Sequence, residues 1–113
     1  MSVVFNSTAS RQTFFSKPAT TNATTIYTAT NVKTATLEAI NIATTGASDV
    51  TVWIGNGTDY LLLDAYPMPA NSQVLHSFGD PVLLDTWTVK VKTSNADDAT
   101  FTLTMAEESR HQN

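Results

Sequence analysis

The side chains able to do acid–base chemistry are few and scattered. Four aspartates, Asp59, Asp64, Asp80 and Asp85, could pair as general acid and base. Each falls in or beside a stretch of turn-forming residues, where Asp is favoured because its carboxylate bonds nearby backbone N–H groups. Asn95, Asp97 and Asp98 make a short acidic loop, but their spacing is not that of an EF-hand, and a solvated turn explains them. The two histidines, His76 and His111, are too far apart to form an H-x-x-x-H metal pair. With no cysteine, disulfides, thiolate metal sites and thiol nucleophiles are excluded. There is no G-x-S-x-G elbow, and four glycines do not build a phosphate-cradling loop. The expectation is a protein without catalysis, metal or cofactor.

Composition narrows the class of partner. The chain has 113 residues, enough for one domain with a modest core. Charged residues are only 14% of it, against about 25% in an average globular protein. Thr, Ser, Asn and Ala fill the polar positions instead. Six Lys and Arg against ten Asp and Glu give a net charge of −4 with no basic stripe, so nucleic acid is not the expected partner. No window approaches the ~18 apolar residues of a membrane helix. The opening MSVVFNSTASRQTFF has neither a charged n-region nor a continuous apolar h-region, so the chain is expected to remain in the cytoplasm unless it leaves within a larger particle. A charge-poor surface suits a subunit held in an assembly better than a free monomer.

The elements that would position any site are strands. From Thr24 onward, short β-branched and aromatic runs alternate with turn residues every ~8–12 positions, the pattern of a sandwich or barrel. Eight strands are expected: Thr24–Ala29, Thr34–Ala43, Asp49–Gly55, Tyr60–Ala65, Gln73–Phe78, Val82–Leu84, Thr86–Thr93 and Ala99–Ala106. Two alternate cleanly, with Trp87, Val89 and Val91 on one dry face and Phe101, Leu103 and Met105 on another. TATLEAINIAT changes phase between Leu37 and Ile40, which a β-bulge or bend near Ala39 would explain; a helix is the competing reading there. Asn56-Gly57 is a strong hairpin signal, since both residues tolerate the positive φ of a type I′ turn. The expected fold is all-β, an antiparallel sandwich of jelly-roll or immunoglobulin-like type.

Residues 1–23 read as an extended arm, 24–106 as the sandwich and 107–113 as a tail. Fully extended, the arm could span about 75 Å at about 3.3 Å per residue, against a body about 30 Å across. It carries apolar residues at Val3, Val4 and Phe5 and again at Phe14 and Phe15, which are candidates for insertion into neighbouring subunits. In DVTVWIG, Val50, Val52 and Ile54 share one side of a strand and Trp53 takes the other. Trp53, Tyr60 and Tyr66 lie on or beside one hairpin. They are candidate contacts for another protein segment, such as the arm, or a stacking platform for a sugar ring.

The runs TTIYTATNVKTATLEAINIATTGASDVTVWI, PANSQVL, DPVLLDTWTVKVKTS and DDATFTLTMAE resemble small β-sandwich proteins among the virion structural components of tailed bacteriophages. The likeness covers about residues 24–106. Where such sequences place Pro-Ala-Gly, this one has Thr30-Asn31-Val32. The resemblance implies a non-enzymatic assembly role and brings no catalytic residues. Capsid cement or decoration comes first, with a neck, collar or tail accessory role and a glycan-binding module as alternatives. It also implies a homo-oligomer, assembled in the host cytoplasm and housed in the virion, with the major capsid protein or neck and tail proteins as partners.

Overall fold

The computed structural model describes residues 10–56 and 58–109. Nine strands run through them: β1 (Ser10–Ser16), β2 (Thr24–Thr28), β3 (Lys33–Thr44), β4 (Ser48–Asn56), β5 (Thr58–Met68), β6 (Gln73–His76), β7 (Val82–Leu83), β8 (Thr88–Thr93) and β9 (Ala99–Ser109). No helix occurs among the described residues, so the TATLEAINIAT segment is strand. All eight expected strands are present, with ends moved by a few residues.

The strands form two antiparallel sheets. The first has the order β1-β9-β3-β6, with β7 also pairing β3, and the second has the order β2-β8-β4-β5. Only β4–β5 and β6–β7 are neighbours in sequence within one sheet; every other connection crosses between the sheets. The inner faces carry the alternating apolar residues and pack into one core. It includes Leu37, Ile40, Ile42, Phe101, Leu103 and Met105 from the first sheet and Val50, Val52, Val89 and Val91 from the second, all fully buried.

β3 explains its own phase change. Its register against β9 runs Leu37↔Met105 and then Ala39↔Thr104, so Glu38 is an extra residue bulged out of the ladder. Ala35 and Leu37 before the bulge and Ile40 and Ile42 after it therefore all face inward and are buried.

Two boundaries differ from expectation. The expected arm is strand over Ser10–Ser16, paired with β9 from Ser10↔Glu107 to Ser16↔Phe101. SRQTFFS offers only Phe14 to the inner side and Phe15 to the outer, so no periodic apolar signal marks it, and the ladder to β9 decides its place. Residues 1–9 lie outside the described residues. At the other end β9 continues past Ala106 to Ser109, because Glu107 has partners inside the sandwich.

Deleting Glu38 would remove the bulge and turn either Ala35 and Leu37 or Ile40 and Ile42 outward. Exposing Ile40 and Ile42 costs about 1.5–3 kcal/mol each, a sum that reaches the lower end of a domain's ~5–15 kcal/mol of stability; exposing Leu37 with the smaller Ala35 costs less. The variant is expected to unfold at much lower denaturant, or to lose cooperative unfolding, by urea titration followed by circular dichroism.

Candidate functional site

The structure does not bring the aromatic candidates together. Val3, Val4 and Phe5 lie outside the described residues. Phe14 faces inward and packs edge-on against Tyr27, with ring centroids 5.0 Å apart, so it belongs to its own core. Phe15, the next residue, points away from the core and is 70% exposed.

The hairpin aromatics separate because of register. A two-residue turn at Asn56-Gly57 would pair Trp53 with Tyr60 on one side of the sheet. The observed pairs are Asn56↔Thr58, Gly55↔Asp59, Ile54↔Tyr60 and Trp53↔Leu61. That one-residue shift sends Tyr60 to the opposite side from Trp53. Tyr60 instead stacks on Trp87 at 5.4 Å and 20°. Tyr66 pairs with Val50 on the inner side and meets His76 edge-on at 5.0 Å. Trp53 sits half-buried on the outer side of the second sheet, in a row between Lys90 of β8 and Leu61 of β5. The Trp53–Tyr60 sugar platform is therefore not assembled. Nor does the described part of the expected arm cover Trp53, because β1 belongs to the other sheet.

The two outer faces differ in chemistry. On the second sheet, Lys90 and Lys92 flank Trp53 and Thr51, and the Lys90 ammonium reaches the Asp59 carboxylate at 3.6 Å across Gly55, which has no side chain to block it. On the first sheet, β9 presents Thr100, Thr102, Thr104 and Ala106, and β3 presents Thr36, Ala39, Asn41 and Ala43. One cross-strand row reads Phe15, Thr102, Asn41, Leu75, so the face is bordered by Phe15 at one edge and Leu75, 68% exposed, at the other. Its charges include the Arg11 guanidinium, which donates to both carboxylate oxygens of Glu38 at 2.8 and 3.3 Å and is neutralised there. A partner laid on this face would bury the methyls favourably but would have to supply hydrogen bonds to the hydroxyls it covers. Leu75 and Val82 were not among the sequence candidates. The signal was present in QVLH, where Val74 and Leu75 put apolar residues on both sides of one short strand.

The polar groups act as ties. The Tyr27 hydroxyl crosses between sheets to donate to Glu107 Oε2 at 2.5 Å, and Lys33 Nζ lies 3.4 Å from Oε1. Burial, then the hydrogen bond to Glu107 and its negative charge, push the Tyr27 phenol well above its ordinary range. At the opposite margin His76 is stacked on Phe78 and edge-on to Tyr66, and its buried Nε2 has no hydrogen-bond partner. Burial pulls the imidazole below its ordinary pKa. A shallow cleft of about 410 Å³ opens between Ser48, Asp49, Met68 and Asn95 at one end of the sandwich. Many of its polar groups are already bonded to one another: Asn95 Nδ2 donates to the Ala47 carbonyl at 2.7 Å, Asp49 N–H to Ser94 Oγ at 2.8 Å, and Ser48 Oγ shares a hydrogen bond with Thr93.

Asp59, Asp80 and Asp97 belong to different elements of the fold. Asp59 pairs with Lys90, while Asp80 and Asp97 sit at positive φ in turns. The Asp98 carboxylate folds against Gly46 so closely that a Cβ there would lie 2.6 Å from Oδ2. Among the described residues no group of three or more His, Asp or Glu could hold a metal ion, and no helix is long and apolar enough to cross a membrane. Comparison with protein families, with curated proteins and with solved structures finds no match to this chain.

Two measurements check the ties. Tyr27→Phe leaves Glu107 without its hydroxyl donor and is expected to cost about 1–3 kcal/mol in denaturant unfolding. Because Tyr27 is raised in the fold, its contribution is complete below the unfolded value of about 10 and is lost as pH climbs above it, and the variant should lack that alkaline loss. His76 has the opposite sign. The unfolded chain binds its proton more readily, so stability is expected to fall as pH drops below about 6.5. His76→Phe should flatten the melting temperature between about pH 7 and 5.5.

Proposed function

We propose that this protein is a non-enzymatic structural subunit of a tailed-phage virion, a cement or decoration protein on the capsid, and that its sandwich is a jelly roll. The observation that carries the reading is strand order. Sheets ordered β1-β9-β3-β6 and β2-β8-β4-β5, with nearly every connection crossing between them, interleave the chain as a jelly roll does, an architecture recurrent in viral coats. The sequence resemblance to phage virion sandwiches points the same way.

The charge-poor outer face of the first sheet supports an assembly role. Threonine and alanine methyls, an internally neutralised Arg11–Glu38 pair and exposed Phe15 and Leu75 suit contact with a virion protein such as the major capsid protein. Residues 1–9 precede β1 and are the part of the expected arm left to reach neighbouring subunits. Each such contact is weak, and capsid symmetry repeats it, so retention comes from avidity. Neck, collar or tail attachment uses the same chemistry at lower copy number. A glycan-binding role has less support, because Trp53 and Tyr60 lie on opposite sides of their sheet.

Quantitative gels of purified particles check the assignment. A copy number that scales with the capsid subunits is expected; one matching a single ring would move the protein to the neck or tail, and absence from particles would sink the virion reading. A chain lacking residues 1–9, with β1 intact, is expected to fold normally but to be washed from particles more readily. Unchanged occupancy would remove those residues from the mechanism.

A further inference from the structure

Each sheet has two outer edges, and a sheet edge offers unpaired N–H and C=O groups to any strand that meets it. Three of the four edges are blunted. β2 is five residues long and its register slips between Thr25 and Tyr27. β5 carries Pro67, has positive φ at Ala65 and shifts register twice against β4. The third edge is split into β6 and β7, of four and two residues, with Gly79, Asp80 and Pro81 between them.

β1 has none of these devices. Its seven residues pair with β9 in unbroken register, and SRQTFFS contains no proline, glycine, lysine or acid. Ser10 to Thr13 are exposed, as is Phe15. Only at its end do Lys17 and Pro18 close the strand.

We propose that the outer edge of β1, unpaired among the described residues, pairs with β1 of a second copy of this chain, antiparallel about a two-fold axis at Thr13, joining the two first sheets into one. The strand is self-complementary about that residue. Thr13 is the middle of the seven, so this axis uses the whole edge, setting Ser10 opposite Ser16 of the second copy and Gln12 opposite its Phe14. Arg11 falls opposite its Phe15. Both are on the outer side, where the guanidinium, already held by Glu38, can lie over the exposed ring as a cation–π contact. The pairing thus covers the most exposed aromatic of the described residues, brings no like charges face to face, and is isologous, as a closed dimer requires. A strand of different sequence would gain the backbone bonds but not this reciprocal match.

Sedimentation velocity of the full chain over a concentration series is expected to show a dimer forming. Thr13→Lys puts two ammonium groups opposite each other at the axis and should return the protein to a monomer with its circular dichroism unchanged. Since the chain has no cysteine, Thr13→Cys provides a positive test. Directly opposed Cα atoms in an antiparallel pair lie about 4.5–5.5 Å apart, inside the disulfide range of about 4.4–6.8 Å. Mild oxidation should convert Thr13→Cys to a covalent dimer and leave Gln73→Cys, on the opposite edge, monomeric. A chain that stays monomeric throughout, or a dimer indifferent to Thr13→Lys whose Thr13→Cys form cross-links no better than the control, would overturn the proposal. These outcomes do not depend on whether the protein is found on virions.

Discussion

The bulge at Glu38 is the constraint on which the remainder of this sandwich depends. β3 lies at the centre of the first sheet, with β9 on one side and β6 and β7 on the other. Its apolar residues fall in two phases, and a regular strand could bury only one of them. One extra residue lets both face the core, and it also places a carboxylate on the outer side. Arg11 reaches that carboxylate from β1 across β9 at Ala106, whose methyl group leaves the path open. The device that phases the core therefore also offsets the positive charge of Arg11 on the outer face.

Both open sides of the sandwich are closed by aromatic and polar groups as well as by aliphatic packing. Between β1 and β2, Phe14 and Tyr27 meet, and the Tyr27 hydroxyl ties the second sheet to Glu107 of the first. Between β5 and β6, Tyr66, His76 and Phe78 fill the margin. The first closure depends on a phenol that keeps its proton and the second on an imidazole that stays neutral. The two sides accordingly respond to opposite ends of the pH scale.

The surface follows from the same layout. The inner sides claim most of the strongly apolar residues, leaving threonine and alanine with Phe15, Leu75 and Val82 for the outer side of the first sheet and lysines with Trp53 and Leu61 for the second. Few charges are spent anywhere. The charge-poor face and the unblunted edge of β1 are on the same sheet, so the chemistry suited to association is concentrated on one side of the molecule.

The strands with strict alternation, around Val89 and Val91 and around Phe101, Leu103 and Met105, were legible in the sequence, as were the phase change in β3 and the pairing of β4 with β5, though not the two-residue register expected of their turn. Alternation, bulges and turn residues are local properties of a chain. By contrast, β1 has one apolar residue per side and could be recognised as a strand only through its ladder to β9. Glu107 reads as tail until Tyr27 arrives from the other sheet. Trp53 could be seen to face outward, but the side taken by Tyr60 hung on a single residue of hairpin register. Between Thr24 and Ala106, sequence alone determined which segments extend and which faces are dry. Tertiary structure decided which edges meet and on which side each aromatic emerges, because pairing and register join residues far apart in the chain and a shift of one position reverses a strand's faces.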